Sequence, residues 1–100
     1  MSEMVFDEQV YQKHLSEAII SVDVCGLPEM APVVALFLEH FRPAKDIDNA
    51  ACYLTSMEIS NELEDICMVT NKDVALTMSF LGYRLKILQD EGPAWAMDYA

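Results

Sequence analysis

Basic side chains are scarce in this chain: six Lys and Arg stand against seventeen Asp and Glu, a formal charge of −11 over 100 residues. Affinity for nucleic acid is won largely by neutralising phosphates with Lys and Arg. The balance therefore opposes non-specific attraction to a polyphosphate, and a DNA-binding domain of this size is ordinarily basic. Glycine is scarce too. Gly26, Gly82 and Gly92 are too dispersed to cradle a phosphate, and each suits a helix or hairpin end. The three cysteines, Cys25, Cys52 and Cys67, are far apart, odd in number and without a CxxC. That argues against a disulfide framework or a zinc site and for buried, reduced thiols. His14 and His40 fall on different predicted helices without HxxxH spacing, so no metal site is expected. No uncharged apolar run approaches the roughly 18 residues of a membrane span. The acidic start, MSEMVFDEQ, lacks the basic region of a secretory signal. The expectation is a soluble, cytoplasmic protein without cofactor.

Apolar residues, by contrast, make up 53% of the chain, which excludes disorder. The length suits a single domain, residues 1–100, with a real core.

Residues 55–83, TSMEISNELEDICMVTNKDVALTMSFLGY, carry the clearest pattern. Thr55-Ser56-Met57-Glu58 is a capping box, and Thr70-Asn71-Lys72-Asp73 repeats it with Asp as the acidic partner. Ile59, Leu63 and Ile66 follow i, i+4, i+7, as do Val74, Met78 and Leu81, giving each helix one apolar stripe. Gly82 stands where a C-cap glycine belongs. This predicts a helix, a turn and a second helix. Tyr83, Leu85 and Ile87 then alternate with Arg84 and Lys86, a turn at Asp90-Glu91-Gly92-Pro93 follows, and Trp95, Met97 and Tyr99 share one side of a second strand. The pattern places all six apolar residues on the core face of a hairpin.

Upstream, Tyr11, Leu15, Ala18 and Val22 mark an amphipathic helix over residues 7–22, broken at Cys25-Gly26-Leu27. Pro28 suits the first turn of a second helix, apolar on nearly every side through Leu38, with Glu39, His40 and Arg42 at its far end and Pro43 as its stop. A polar connection, AKDIDNA, leads to a short β-like piece, Ala51-Cys52-Tyr53-Leu54.

Long helix, short strand, helix, helix, hairpin: in element order, residues 28–100 resemble the winged helix-turn-helix superfamily. The resemblance implies a mainly α fold with a small C-terminal β-hairpin, a winged-helix-like three-helix core, and the 7–22 helix as an extra layer. It also implies that residues 71–82 would lie in a DNA groove with the hairpin as the wing.

Signs of catalysis are absent. No nucleophile elbow is present, and Glu58, Glu62, Glu64 and Asp65 read as the solvated face opposite an apolar stripe. The protein is expected not to be an enzyme, with no catalytic or metal-ligating residues. Between Asn71 and Gln89, Lys72, Arg84 and Lys86 oppose Asp73 alone, a local +2 (three minus one) that leaves −13 elsewhere. Opposite the Val74–Met78–Leu81 stripe lie Leu76 and Phe80, beside Lys72, where a DNA-reading helix would carry polar side chains. Either the N-terminal helix covers them or they meet another protein. Three readings follow. The leading one is a protein-interaction module, binding either itself or a larger complex, that uses Leu76, Phe80 and Lys72. The alternative is a DNA-binding regulator using Asn71, Lys72, Ser79, Arg84 and Lys86. The third is an acidic mimic of nucleic acid.

Overall fold

A computed structural model describes residues 7–20 and 26–100. These form four α-helices, α1 (Glu8–Ile20), α2 (Ala31–Phe37), α3 (Ser56–Leu63) and α4 (Asn71–Leu81). They pack with four strands of one antiparallel sheet, β1 (Phe41–Pro43), β2 (Cys52–Leu54), β3 (Arg84–Leu88) and β4 (Gly92–Tyr99). The expected hairpin is thus part of a larger sheet, and "mainly α" understates the β content. No helix among the described residues is long and apolar enough to cross a membrane.

The helix starts follow the chain chemistry. Asp7 accepts from the Gln9 and Val10 amides at 2.9 and 3.3 Å and so caps α1. Both capping boxes form in full, with Thr55 and Thr70 each accepting from the amide three residues on, at 3.1 Å. Gly82 closes α4 in the left-handed conformation, φ +93°, which a side chain at Cβ would strain. Of the α1 stripe, Tyr11, Leu15 and Ala18 are buried, while Val22 lies outside the described residues, as does Cys25.

The second helix departs from expectation at both ends. It begins at Ala31, not Pro28, because Pro32 would then fall in its second turn. There its missing N–H and its ring would face the carbonyl of Pro28. That carbonyl instead accepts from Ala31 at 3.0 Å, and Pro32 enters the first turn, where no donor is needed. Pro43 forbids helical backbone one residue earlier than itself, so the helix is spent by a 3₁₀ turn at Leu38–His40, and the chain runs on as β1. Nor is the helix buried all round: Ala31, Val34 and Ala35 are, but Leu36 is exposed.

β4 is the centre of the sheet. Ala96 lies opposite both Arg84 of β3 and Tyr53 of β2, and Met97 opposite both Pro43 of β1 and Cys52 of β2. β1 and β3 therefore sit end to end on one side of β4, with β2 on the other. Ladder parity fits the prolines. Ala44 donates to Ala96 O at 3.2 Å, so Ala96 bonds toward the β1–β3 side and Met97 toward β2. Pro43, opposite Met97, and Pro93, opposite Ile87, thus occupy positions whose missing donors no neighbour in the ladder requires.

Since β1 and β2 flank β4, the 44–51 loop must cross a face of it. Ala94 and Ala96 lie beneath that crossing and are fully buried, while Trp95 and Met97 are buried on the other face, against the helices. The crossing is heavily bonded. Asp98 accepts from the Lys45 and Ala51 amides, both at 3.2 Å, and Arg84 Nη2 donates to the Ala44 and Lys45 carbonyls at 2.9 and 3.1 Å. The Tyr53 hydroxyl donates to Ile47 O at 2.6 Å and accepts from the Ala50 amide at 3.1 Å, while Lys86 pairs with Asp48.

One cluster joins all four helices to Tyr83, Trp95 and Met97. The expected six-residue hairpin face holds in register, since Leu85 pairs with Trp95. Only part of it is covered, however: Leu85 and Ile87 are exposed where the hairpin outruns the helices beneath it, and Tyr99 is exposed at the other end of β4, opposite Phe41. Ile66 is exposed as well, because α3 ends at Leu63 and the periodicity lapses in the following turn.

A polar knot sits inside this apolar body. The Tyr11 and Tyr83 hydroxyls share a 2.6 Å hydrogen bond, and Tyr83 donates to Phe41 O at 3.1 Å, tying α1, β1 and the start of β3. Arg42 lies 4.8 Å over the Tyr11 ring and pairs with Glu8 at 2.9 Å. Burial, then the Tyr11 hydrogen bond, holds the Tyr83 phenol far above its ordinary 10.0. Below that value neither state ionises; above it the unfolded chain alone loses the proton, so stability falls as pH rises. Urea midpoints should be flat to about pH 9.5 and decline beyond, and Tyr83→Phe should shallow that decline. A decline of unchanged slope in the variant would place its cause elsewhere. Trp95→Ala, which empties the core beneath the hairpin, should lower stability by about 3–5 kcal/mol. A melting temperature within a couple of degrees of the parent would refute the packing.

Candidate interaction groove beside α4

α4 divides its residues among three surroundings at about 100° per residue. Val74, Thr77, Met78 and Leu81 enter the core, and Thr77 is tolerated there because its hydroxyl donates to Asp73 O at 2.9 Å. Phe80 turns toward α1, where its ring lies 4.9 Å from that of His14. Asn71, Lys72, Leu76 and Ser79 face outward.

The N-terminal helix therefore covers one of the two apolar residues that face away from the core stripe. Phe80 is half-buried and packed on the core, while Leu76 keeps 40% of its surface. Of the residues expected at a protein interface, Lys72 and Leu76 remain on one outward face and Phe80 has been drawn into the α1–α4 contact.

The residues expected to read DNA are not brought together. Arg84 and Lys86 point to the sheet face crossed by the 44–51 loop and are engaged by its carbonyls and by Asp48. Their alternating neighbour Leu85 faces the other way, toward Asn71. Lys86 binds its proton more tightly than an ordinary lysine, chiefly through its hydrogen bond to Asp48. Asp46 in the same loop is a stronger acid than usual, through the Asn49 amide and then the Asp48 N–H.

On the Leu85 face lies a groove of about 570 Å³ between the starts of α3 and α4 and the hairpin. Trp95 forms its floor, only 4% exposed, and its indole N–H donates to Ser56 Oγ at 3.0 Å. Met57 (60% exposed), Leu85 (45%), Ala75 and Pro93 make apolar walls, and Glu58, Asn71 and Glu91 stand at the rim. No Lys or Arg lines it. Met57, Pro93, Leu85 and Trp95 escaped the sequence reading as site residues. Period-two alternation assigned Leu85 and Trp95 to the core alike, and only the hairpin's length beyond the helices hinted that Leu85 emerges.

Little here suits covalent chemistry. Cys52, half-buried in β2, has its thiol pushed up by burial and then by Asp98, away from the reactive thiolate. Among the described residues no cluster of His, Cys, Asp and Glu could hold a metal ion. The groove offers a tryptophan floor, apolar walls and two carboxylates at its rim.

The division of α4 is open to measurement. Phe80→Ala should cost about 2 kcal/mol, less than the 3–5 of a fully buried phenylalanine. Leu76→Ser should stay within about 0.5 kcal/mol of the parent. Equal effects in denaturant melts would show that α1 covers both residues or neither. Compared with family models, curated proteins and solved structures, the chain matches none.

Proposed function

We propose that this chain is a small, non-enzymatic, winged-helix-like module that acts by binding protein. The element order supports the likeness: α2, β2, α3, α4 and the β3–β4 hairpin come in the order of that superfamily, with α1 and the short β1 added. The observation that carries the binding role is the groove between α3, α4 and the hairpin, where a DNA-reading winged helix would present basic and polar groups. Here it presents Met57, Leu85 and Trp95 with Glu58 and Glu91 at the rim. The occupant that fits is a polypeptide segment with an apolar anchor for the Trp95 floor, flanked by Lys or Arg to meet the two glutamates. A chain of net charge −11 also attracts such a segment from a distance.

The DNA-regulator reading is weaker because Arg84 and Lys86, two of its five residues, are spent on the 44–51 loop. The mimic of nucleic acid rests on net charge alone. Outward-facing Lys72 and Leu76 extend the proposed surface along α4.

Trp95 is the chain's single tryptophan and reports on its own groove. Its fluorescence should shift on titration with a Leu/Lys amphipathic peptide. It should stay unchanged with the matching Leu/Glu peptide and with duplex DNA at low salt. Leu85→Glu should weaken the Leu/Lys peptide roughly tenfold or more, the equivalent of losing about 1.5–3 kcal/mol of leucine burial. Salt-dependent binding of the duplex in place of the peptide would sink the protein-binding reading and revive the regulator.

A further inference from the structure

The outer edge of β3 is open. Among the described residues β3 pairs with β4 and no other strand. Because Ala96 bonds toward the β1–β3 side, Gly92, Ala94 and Ala96 exchange ladder bonds with Leu88, Lys86 and Arg84. The alternate residues Leu85 and Ile87 therefore aim their N–H and C=O groups away from β4. Their side chains are uncovered as well, by 45% and 71%. An edge strand open in both backbone and apolar side chains is a template for another strand.

We infer that the strand it takes is β3 of a second copy, antiparallel across a two-fold axis at Lys86. In that register Leu85 of each copy meets Ile87 of the other. Both carry outward backbone groups, so reciprocal hydrogen bonds form without disturbing either hairpin, and the two apolar side chains pack across the axis. Charge selects the same arrangement. Two bodies of −11 repel over most of their surfaces, and residues 71–89, which include β3, carry a local +2. The antiparallel register sets Arg84, at the base of one hairpin, toward the Asp90-Glu91 tip of the other. Lys86, which meets its own counterpart at the axis, is already neutralised by Asp48 in each copy. A contact between strands of five residues is smaller than a permanent dimer interface, so association depends on concentration. Leu85 and Glu91 also line the groove beside α4, so the two surfaces share those residues; Ile87 does not line the groove, and a change there tests the pairing apart from the groove.

Sedimentation of the full chain tests it. The weight-average mass should rise with concentration from 11.3 kDa toward twice that value. Ile87→Pro should hold it at the monomer. Proline there removes one outward donor but no β3–β4 bond, because Ile87 faces Pro93, which has no N–H itself. Wild-type amide exchange gives a readout independent of any variant. The Leu85 and Ile87 amides should slow as concentration rises, while those of Arg84, Lys86 and Leu88 stay protected throughout. A mass fixed at the monomer value, a folded Ile87→Pro variant that still dimerises, or Leu85 and Ile87 amides indifferent to concentration would each overturn the inference.

Discussion

β4 has neighbours on both edges and cover on both faces, and most of the structure answers to that. β1 and β2 are consecutive strands, yet β4, made last, lies between them. Their connection has to pass over β4, and the strand accommodates it with Ala94 and Ala96 beneath the crossing and Trp95 and Met97 on the helical side. A larger side chain at either alanine would meet the loop. The polar groups flanking the alanines, Asp98, Arg84, Lys86 and Tyr53, all bond into the loop. Backbone carbonyls and amides of a segment held against a sheet would otherwise be stranded, so the crossing is stable only because these side chains satisfy them.

The same constraint shapes what the surface can recognise. In a chain with six basic residues, three are engaged by other groups of the chain at its surface: Arg42 by Glu8 and the Tyr11 ring, Arg84 by the loop carbonyls, Lys86 by Asp48. Of the basic charge along residues 71–89, Lys86 is paired with Asp48 and the Arg84 guanidinium is held in place by carbonyls, so less of it is free to move to a partner than the local tally implies. The hairpin's two faces have opposite characters as a result. One is polar and tied down, the other apolar and open where it leaves the helices.

α1 has a part in this division. It brings Tyr11 to Tyr83 and His14 to Phe80, and so seals the side of α4 away from the hairpin. The apolar surface left open is displaced toward Leu76, the groove and β3. A buried pair of phenols needs partners for both hydroxyls, and the Phe41 carbonyl supplies one, which fixes where the chain turns from α2 into the sheet.

Much of the local structure was legible in the sequence because its causes are local. Thr55 and Thr70 cap with the carboxylate three residues on, Gly82 accepts a left-handed turn cheaply, and the Val74–Met78–Leu81 stripe finds the core. The alternation of β3 and β4 set their common face and register. Where the reading erred, the cause lay elsewhere in the chain. Pro32 deferred the start of α2, and β1 appeared because β4, more than fifty residues later, offered it a ladder. Leu85 and Ile87 emerged because no helix reaches them, and Arg84 and Lys86 were withdrawn by a loop whose path depends on strand order. Residue pattern determined which side chains share a face. Only the tertiary structure decided what each face meets, since burial and ion pairing depend on contacts between segments that no local period records.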